Sequence, residues 1–194
     1  MALAKIRYKS LTSLLNNRKK TGNMFTIEDE YEDERTIELL KKIKKAKRRG
    51  YLKKSELEDI CRWKSPRAIR LIRSNSEDKI KKITAEAFKT RSERKKLELL
   101  TKLEGVGVPM ASSILMFTDP KRYGVLDIRV WQVLYKLGAV NKKPAGQNFG
   151  FNEWYQFLKI IRYFAEKYKV RARDIERTLF DVHAEHQRGR LYKR

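Results

Sequence analysis

The chain has one cysteine, Cys61, two histidines and four prolines among its 194 residues. A single thiol cannot close a disulfide within the chain. Nor can it supply the ligands of a cysteine zinc site or an iron–sulfur cluster. Cys61 is expected to be a buried apolar residue of its helix. His183 and His186 lie three apart near Asp181 and Glu185 with no evident further ligand, so no side-chain metal site is expected and both histidines are read as surface residues. No stretch reaches the roughly 18 apolar residues of a membrane span. The opening Met1-Ala2-Leu3-Ala4-Lys5 lacks a signal peptide's apolar run. The expectation is an intracellular protein of the cytoplasm or nucleoid, and a monomer.

Acidic residues are also scarce: 24 Asp and Glu stand against 47 Lys and Arg, a formal net charge of +23. Such an excess adds nothing to a fold and raises attraction to polyanions. Nucleic acid is the natural polyanion, because each neutralised phosphate releases counterions. Hydrophobic residues make up 41% of the chain, enough for one domain with a real core or two small lobes sharing one.

Helical periodicity dominates, with no strand-like alternation, and the expected class is all-α. Residues 1–25 form a basic N-terminal segment in which Leu11, Leu14 and Leu15 suit one short helix. Residues 27–34 then turn acidic. A helix is expected from Thr36 to Arg49, stopped by Gly50. Residues 41–54 hold nine Lys or Arg and no acid, a pattern often found on a merely solvated helix face. Ser55-Glu56-Leu57-Glu58 reads as a capping box opening a helix through Trp63. Ser65-Pro66 restarts the chain, and Ser76 and Ser92 cap the next two helices. Pro109 opens an apolar helix to Phe117. Asp127 sits at an N-cap position before Ile128, Val130 and Trp131, and Gly138 ends that helix. Residues 139–151 are a loop. Asn152 is expected to cap a long helix, and a last helix runs from about Arg173 to Gln187.

Leu103-Glu104-Gly105-Val106-Gly107 lies between two of these helices. Glycines allow a tight turn, positive φ and close approach to a partner. Amides at such a turn, together with the following helix N-terminus, make a phosphate site. Leu103 and Ala111 would close its inside, and Lys102 would add a phosphate contact. By itself, Asp127 is most simply a helix cap.

Residues 92–138 resemble the helix-hairpin-helix superfamily of DNA glycosylases. There the hairpin Leu-Pro-Gly-Val-Gly leads into a helix with Ala near its start, and about twenty residues on comes Val-Asp-x-His-Val with an essential aspartate. Here the counterparts are Leu103 to Gly107, Ala111, and Leu126-Asp127-Ile128-Arg129-Val130, with Leu134-x-x-Leu137-Gly138 as the helix end. The match covers about a quarter of the chain. The resemblance implies a two-lobed all-α fold over residues 1–194. Gly105, Val106 and Gly107 would present amides to a DNA phosphate, and Asp127 would be the catalytic carboxylate. A monovalent ion at the hairpin carbonyls is implied too. The partner would be double-stranded DNA with a modified or mismatched base. Many members carry a lysine two residues after the second hairpin glycine. Pro109 stands there, so a monofunctional enzyme that uses water is expected. Arg129 replaces the family's histidine and would contact phosphate.

Trp63, Lys64 and Arg67 could stack on an extruded base and hold flanking phosphates, although Trp63 at a helix end is more simply core. Trp131, one turn beyond Asp127, could wall the pocket, although its spacing also suits the core. No residue stands out as the one that fills the gap left by a flipped base. Two other readings are open: a non-catalytic helix-hairpin-helix DNA-binding module, and an abasic-site lyase using a lysine outside the usual position.

Overall fold

A computed structural model of the chain describes residues 8–20 and 32–186. The regular secondary structure of the described residues is all helical, with no strand among them. Ten α-helices follow in order: α1 Lys9–Lys20, α2 Glu34–Arg49, α3 Lys54–Lys64, α4 Ile69–Ser74, α5 Glu77–Lys89, α6 Glu93–Leu100, α7 Val108–Thr118, α8 Ile128–Lys136, α9 Phe151–Tyr168 and α10 Ala172–His186. A 3-10 turn, Pro66–Ala68, links α3 to α4.

The helix at the centre is α7. Every residue from Met110 to Thr118 is buried, as expected of a helix apolar all round. It packs against α2, α3, α6 and α9. Two serines inside it, Ser112 and Ser113, direct their hydroxyls to the Pro109 carbonyl at 2.7 and 3.0 Å. In α1, Leu11 and Leu15 are buried, whereas Leu14 is only partly so. The buried apolar side chains form one cluster reaching from Leu11 to Val182, so any division into lobes shares a single core.

Local chemistry explains most helix ends. Gly50 adopts φ +88° and its amide bonds the Ala46 carbonyl, ending α2. Asp33 caps the start of α2 through Thr36, while Ser76 and Ser92 cap α5 and α6. Each such cap contributes about 1 kcal/mol. Three starts differ from expectation, the first being α2, which opens at Glu34 behind Asp33 rather than at Thr36. The cap of α3 is Lys53 rather than Ser55, because Glu56 Oε2 reaches back to accept the Lys53 amide at 2.7 Å. In α9, Asn152 is already inside the helix. Gly150 caps it, its amide bonding Glu153 Oε2 at 2.8 Å. Ser65 makes no side-chain cap before Pro66. The last helix ends at His186, and Gln187 lies outside the described residues, as do residues 1–7 and 21–31.

His183 is not a surface residue. It is 7% exposed, and its Nε2 lies 2.8 Å from Gln132 Oε1. No group of three or more potential metal-ligating side chains occurs among the described residues. No described helix is long and apolar enough to cross a membrane.

Candidate active site

The turn between α6 and α7 is tight because Gly105 adopts φ +79°. A Cβ at Gly105 would lie 2.9 Å from Leu71 Cβ and 3.2 Å from the Ala68 carbonyl, so the turn is pressed against α4. Asn75, 2% exposed at the end of α4, clamps it. Its Oδ1 accepts the Glu104 amide at 2.9 Å, and its Nδ2 donates to the carbonyls of Glu104, Ile72 and Leu71. This clamp escapes sequence reasoning, because Asn75 lies 29 residues from Glu104.

The expected set of phosphate-binding amides changes at one position. The Val106 amide donates to the Leu103 carbonyl at 3.0 Å and the Val106 side chain is buried. It is therefore turned into the protein and unavailable to a ligand. The amides of Gly105 and Gly107 have no protein acceptor among the described residues. They line, with Val108, the opening of α7, where the helix dipole favours an anion. Lys102 is exposed beside the turn. The carbonyls of Leu103 and Glu104 already accept from Val106 and Asn75, and a cation there would share them with those donors.

Asp127 arrives on an extended segment held from two sides. The Leu126 amide donates to Ser112 Oγ at 2.9 Å, which ties the segment to α7. The Val125 amide donates to Glu176 Oε2 at 3.1 Å, which ties it to α10. Glu176 is itself paired with the buried Arg173, whose guanidinium also meets Glu32. Burial opposes the Arg173 charge, but these two carboxylates outweigh it and raise its pKa further. Ser112 and Glu176 thus position the aspartate. Neither carries a sequence signal for that task.

Asp127 caps α8 as expected, its Oδ1 accepting the Arg129 amide at 2.9 Å. Its other oxygen has a partner that sequence spacing could not reveal. Lys64 Nζ, at the end of α3, lies 2.5 Å from Asp127 Oδ2. Burial pushes the Asp127 carboxyl up. The Lys64 charge and hydrogen bond and the Arg129 amide outweigh that and hold its pKa below the ordinary aspartate value. The group is an anion at neutral pH.

Two cavities meet at this ion pair. The front one, about 540 Å³, is lined by Lys64, Arg67, the glycine turn, Pro109, Asp127 and residues 146–149. Gly146, at φ +68°, lets that last loop come close over α8, since a Cβ there would lie 3.0 Å from the Ile128 carbonyl. The rear one, about 290 Å³, is lined by Asp33, Trp63, Lys64, Asp127, Arg129, Arg177 and Phe180 among others. Arg129 lies over the Phe180 ring at 4.8 Å, on the rear side of Asp127.

The two tryptophans do not wall the front cavity. Trp131 is fully buried. Its indole N–H donates to the carbonyls of Lys142 and Lys143, and its ring meets Phe149 edge-on. It anchors the loop whose Phe149 lines the cavity. Trp63 donates to Thr36 Oγ1 at 2.8 Å and packs edge-on against Phe117. It walls only the rear cavity. Sequence reasoning passed over Leu71, which is 56% exposed next to Gly105 and has exposed Arg67, Arg70 and Arg73 around it.

No family model matches the chain, and no curated protein or solved structure is significantly similar to it.

Proposed function

We propose that the protein is a DNA glycosylase that extrudes a modified or mismatched base from duplex DNA and hydrolyses its N-glycosidic bond. One observation carries this reading: a single cavity of about 540 Å³ brings together the Gly105–Gly107 turn and the ionised Asp127. The turn, in this reading a helix-hairpin-helix element, takes a backbone phosphate through the Gly105 and Gly107 amides. Phosphate contacts of that kind position a duplex without reading its sequence. The net charge of +23 supplies the long-range attraction.

Loss of a base leaves positive charge on the sugar at C1′. A fixed carboxylate stabilises that charge and orients the attacking water. Asp127 suits this task, being anionic, partly exposed at 20% and held by backbone bonds at Val125 and Leu126. The target base must leave the stack first. Apolar side chains that enter a base step keep such a gap open, and the exposed Leu71 beside the turn takes that role. Pro109 has no amine to attack the sugar, so base release uses water.

The test is a panel of modified-base duplexes, with strands separated before and after alkali, run with the protein and with Asp127→Asn. Base release by the protein, read as strand cleavage after alkali, and its loss in the variant are expected. If neither releases a base while both bind duplex DNA, the protein is a binding module instead.

A further inference from the structure

We propose that Lys64 is a second reactive group of this site, an amine that forms an imine with an abasic sugar and makes the protein a DNA strand-cleaving lyase. The inference deepens the reading above, from which it takes only the docking of a nucleotide sugar at Asp127. Its own support is geometric. Lys64 is the one lysine among the described residues that lines the front cavity, although the chain is rich in lysine. Its Nζ is 2.5 Å from the carboxylate assigned to C1′. The side chain is 13% exposed, against 48% for Lys42 and 55% for Lys47 in their surface ion pairs. Lys64 arrives from α3, whereas Pro109 lies in α7, so an amine reaches the cavity from a different helix.

The chemistry needs no oxidant or reductant. Water-dependent base release leaves a hemiacetal that opens to an aldehyde at C1′. The Lys64 ammonium gives a proton to Asp127, and the freed lone pair bonds to C1′. The aldehyde oxygen is protonated and leaves as water, giving the iminium. A proton then leaves C2′ and the C3′–O bond breaks. The departing strand carries a 5′-phosphate. Hydrolysis of the unsaturated iminium returns the amine and the sugar aldehyde.

The alternative is that Lys64 only neutralises Asp127. Lys64→Arg separates the two, because a guanidinium keeps the charge and cannot form the imine. Lys64→Gln serves as the second variant if thermal melting shows that Lys64→Arg is unfolded. The full chain is incubated with a duplex holding one preformed abasic site in the presence of sodium borohydride, and the covalent adduct is mapped by peptide sequencing. We expect an adduct on Lys64, strand cleavage without alkali, and loss of both in a folded variant that still binds the duplex. Mapping is essential in so lysine-rich a chain. An adduct on another amine, undiminished adduct in the variant, or no adduct at all would overturn the proposal. The substrate has no base, so the outcome is independent of glycosylase activity. An adduct on Lys64 without base release from any lesion would sink the glycosylase reading alone.

Discussion

The two ends of α7 open onto cavities of nearly equal size, about 540 Å³ at its N-terminus and about 500 Å³ at its C-terminus. Both walls carry basic side chains, and both have a carboxylate nearby. At the C-terminal end, Glu93 is held by Arg122, Arg162 and the Tyr123 hydroxyl, while Asp119 pairs with Lys47. Burial and the Glu93 charge push the Tyr123 phenol far above its ordinary value, so it stays a hydrogen-bond donor. Lys96 is bound to the carbonyls of Ala87 and Thr90. The helix itself points carbonyls towards this end and amides towards the other. Basic charge and cavity volume therefore do not single out a site. What distinguishes the N-terminal end is the direction of the helix, together with Gly105 and Gly107 amides that have no acceptor among the described residues.

The sharpest way to break this comparison is to remove one carboxylate at each end. Asp127→Asn should lower single-turnover base release by roughly 10²-fold or more. Glu93→Gln should leave that rate unchanged while lowering the melting temperature. Equal losses in the two variants would erase the distinction between the ends.

Next in size is the turn. Gly105→Ala meets both a left-handed φ and Leu71 Cβ at 2.9 Å. It should cost about 2 kcal/mol or more in urea unfolding and weaken binding to undamaged duplex. Gly138 also has a positive φ, +69°, but nothing lies within 4 Å of its Cβ position. Gly138→Ala should cost about 1 kcal/mol and leave binding intact. Similar values for the two would mean that the turn is not pressed on α4.

Leu71→Ala should scarcely alter stability, since the side chain is more exposed than buried. It should slow base release from a paired duplex more than from a single strand carrying the same lesion. An unchanged ratio would remove Leu71 from the gap-filling role.

The smallest expected effect is a pH dependence carried by His183. Burial, with the Arg129 and Lys136 charges, holds the His183 pKa below its ordinary 6.5. The unfolded chain then takes up the proton first. Stability should be complete above that value and decline as pH falls from it towards the folded pKa. His183→Asn should flatten the decline in urea titrations at successive pH values.

What could be read in advance was local. Ser76 and Ser92 act within three residues of themselves, and Gly50 within four. Only side-chain reach blurred the rest, as when Glu56 and Glu153 bent back and moved two helix starts. The aspartate and the turn could be paired because their spacing lies within one stretch of chain. Lys64 with Asp127 and Asn75 with Glu104 could not, since 63 and 29 residues separate them and only packing decides that they meet. Val106 looked like a phosphate donor because a motif records residue identity and not which way an amide points.

The bond between the Val125 amide and Glu176 has a consequence for biosynthesis. The aspartate segment leaves the ribosome some fifty residues ahead of the carboxylate that holds it. A nascent chain that has made α7 and α8 possesses the turn and Asp127. It lacks the α10 brace on the backbone leading to Asp127. Docking of α10 is therefore the late step that fixes the backbone leading to Asp127.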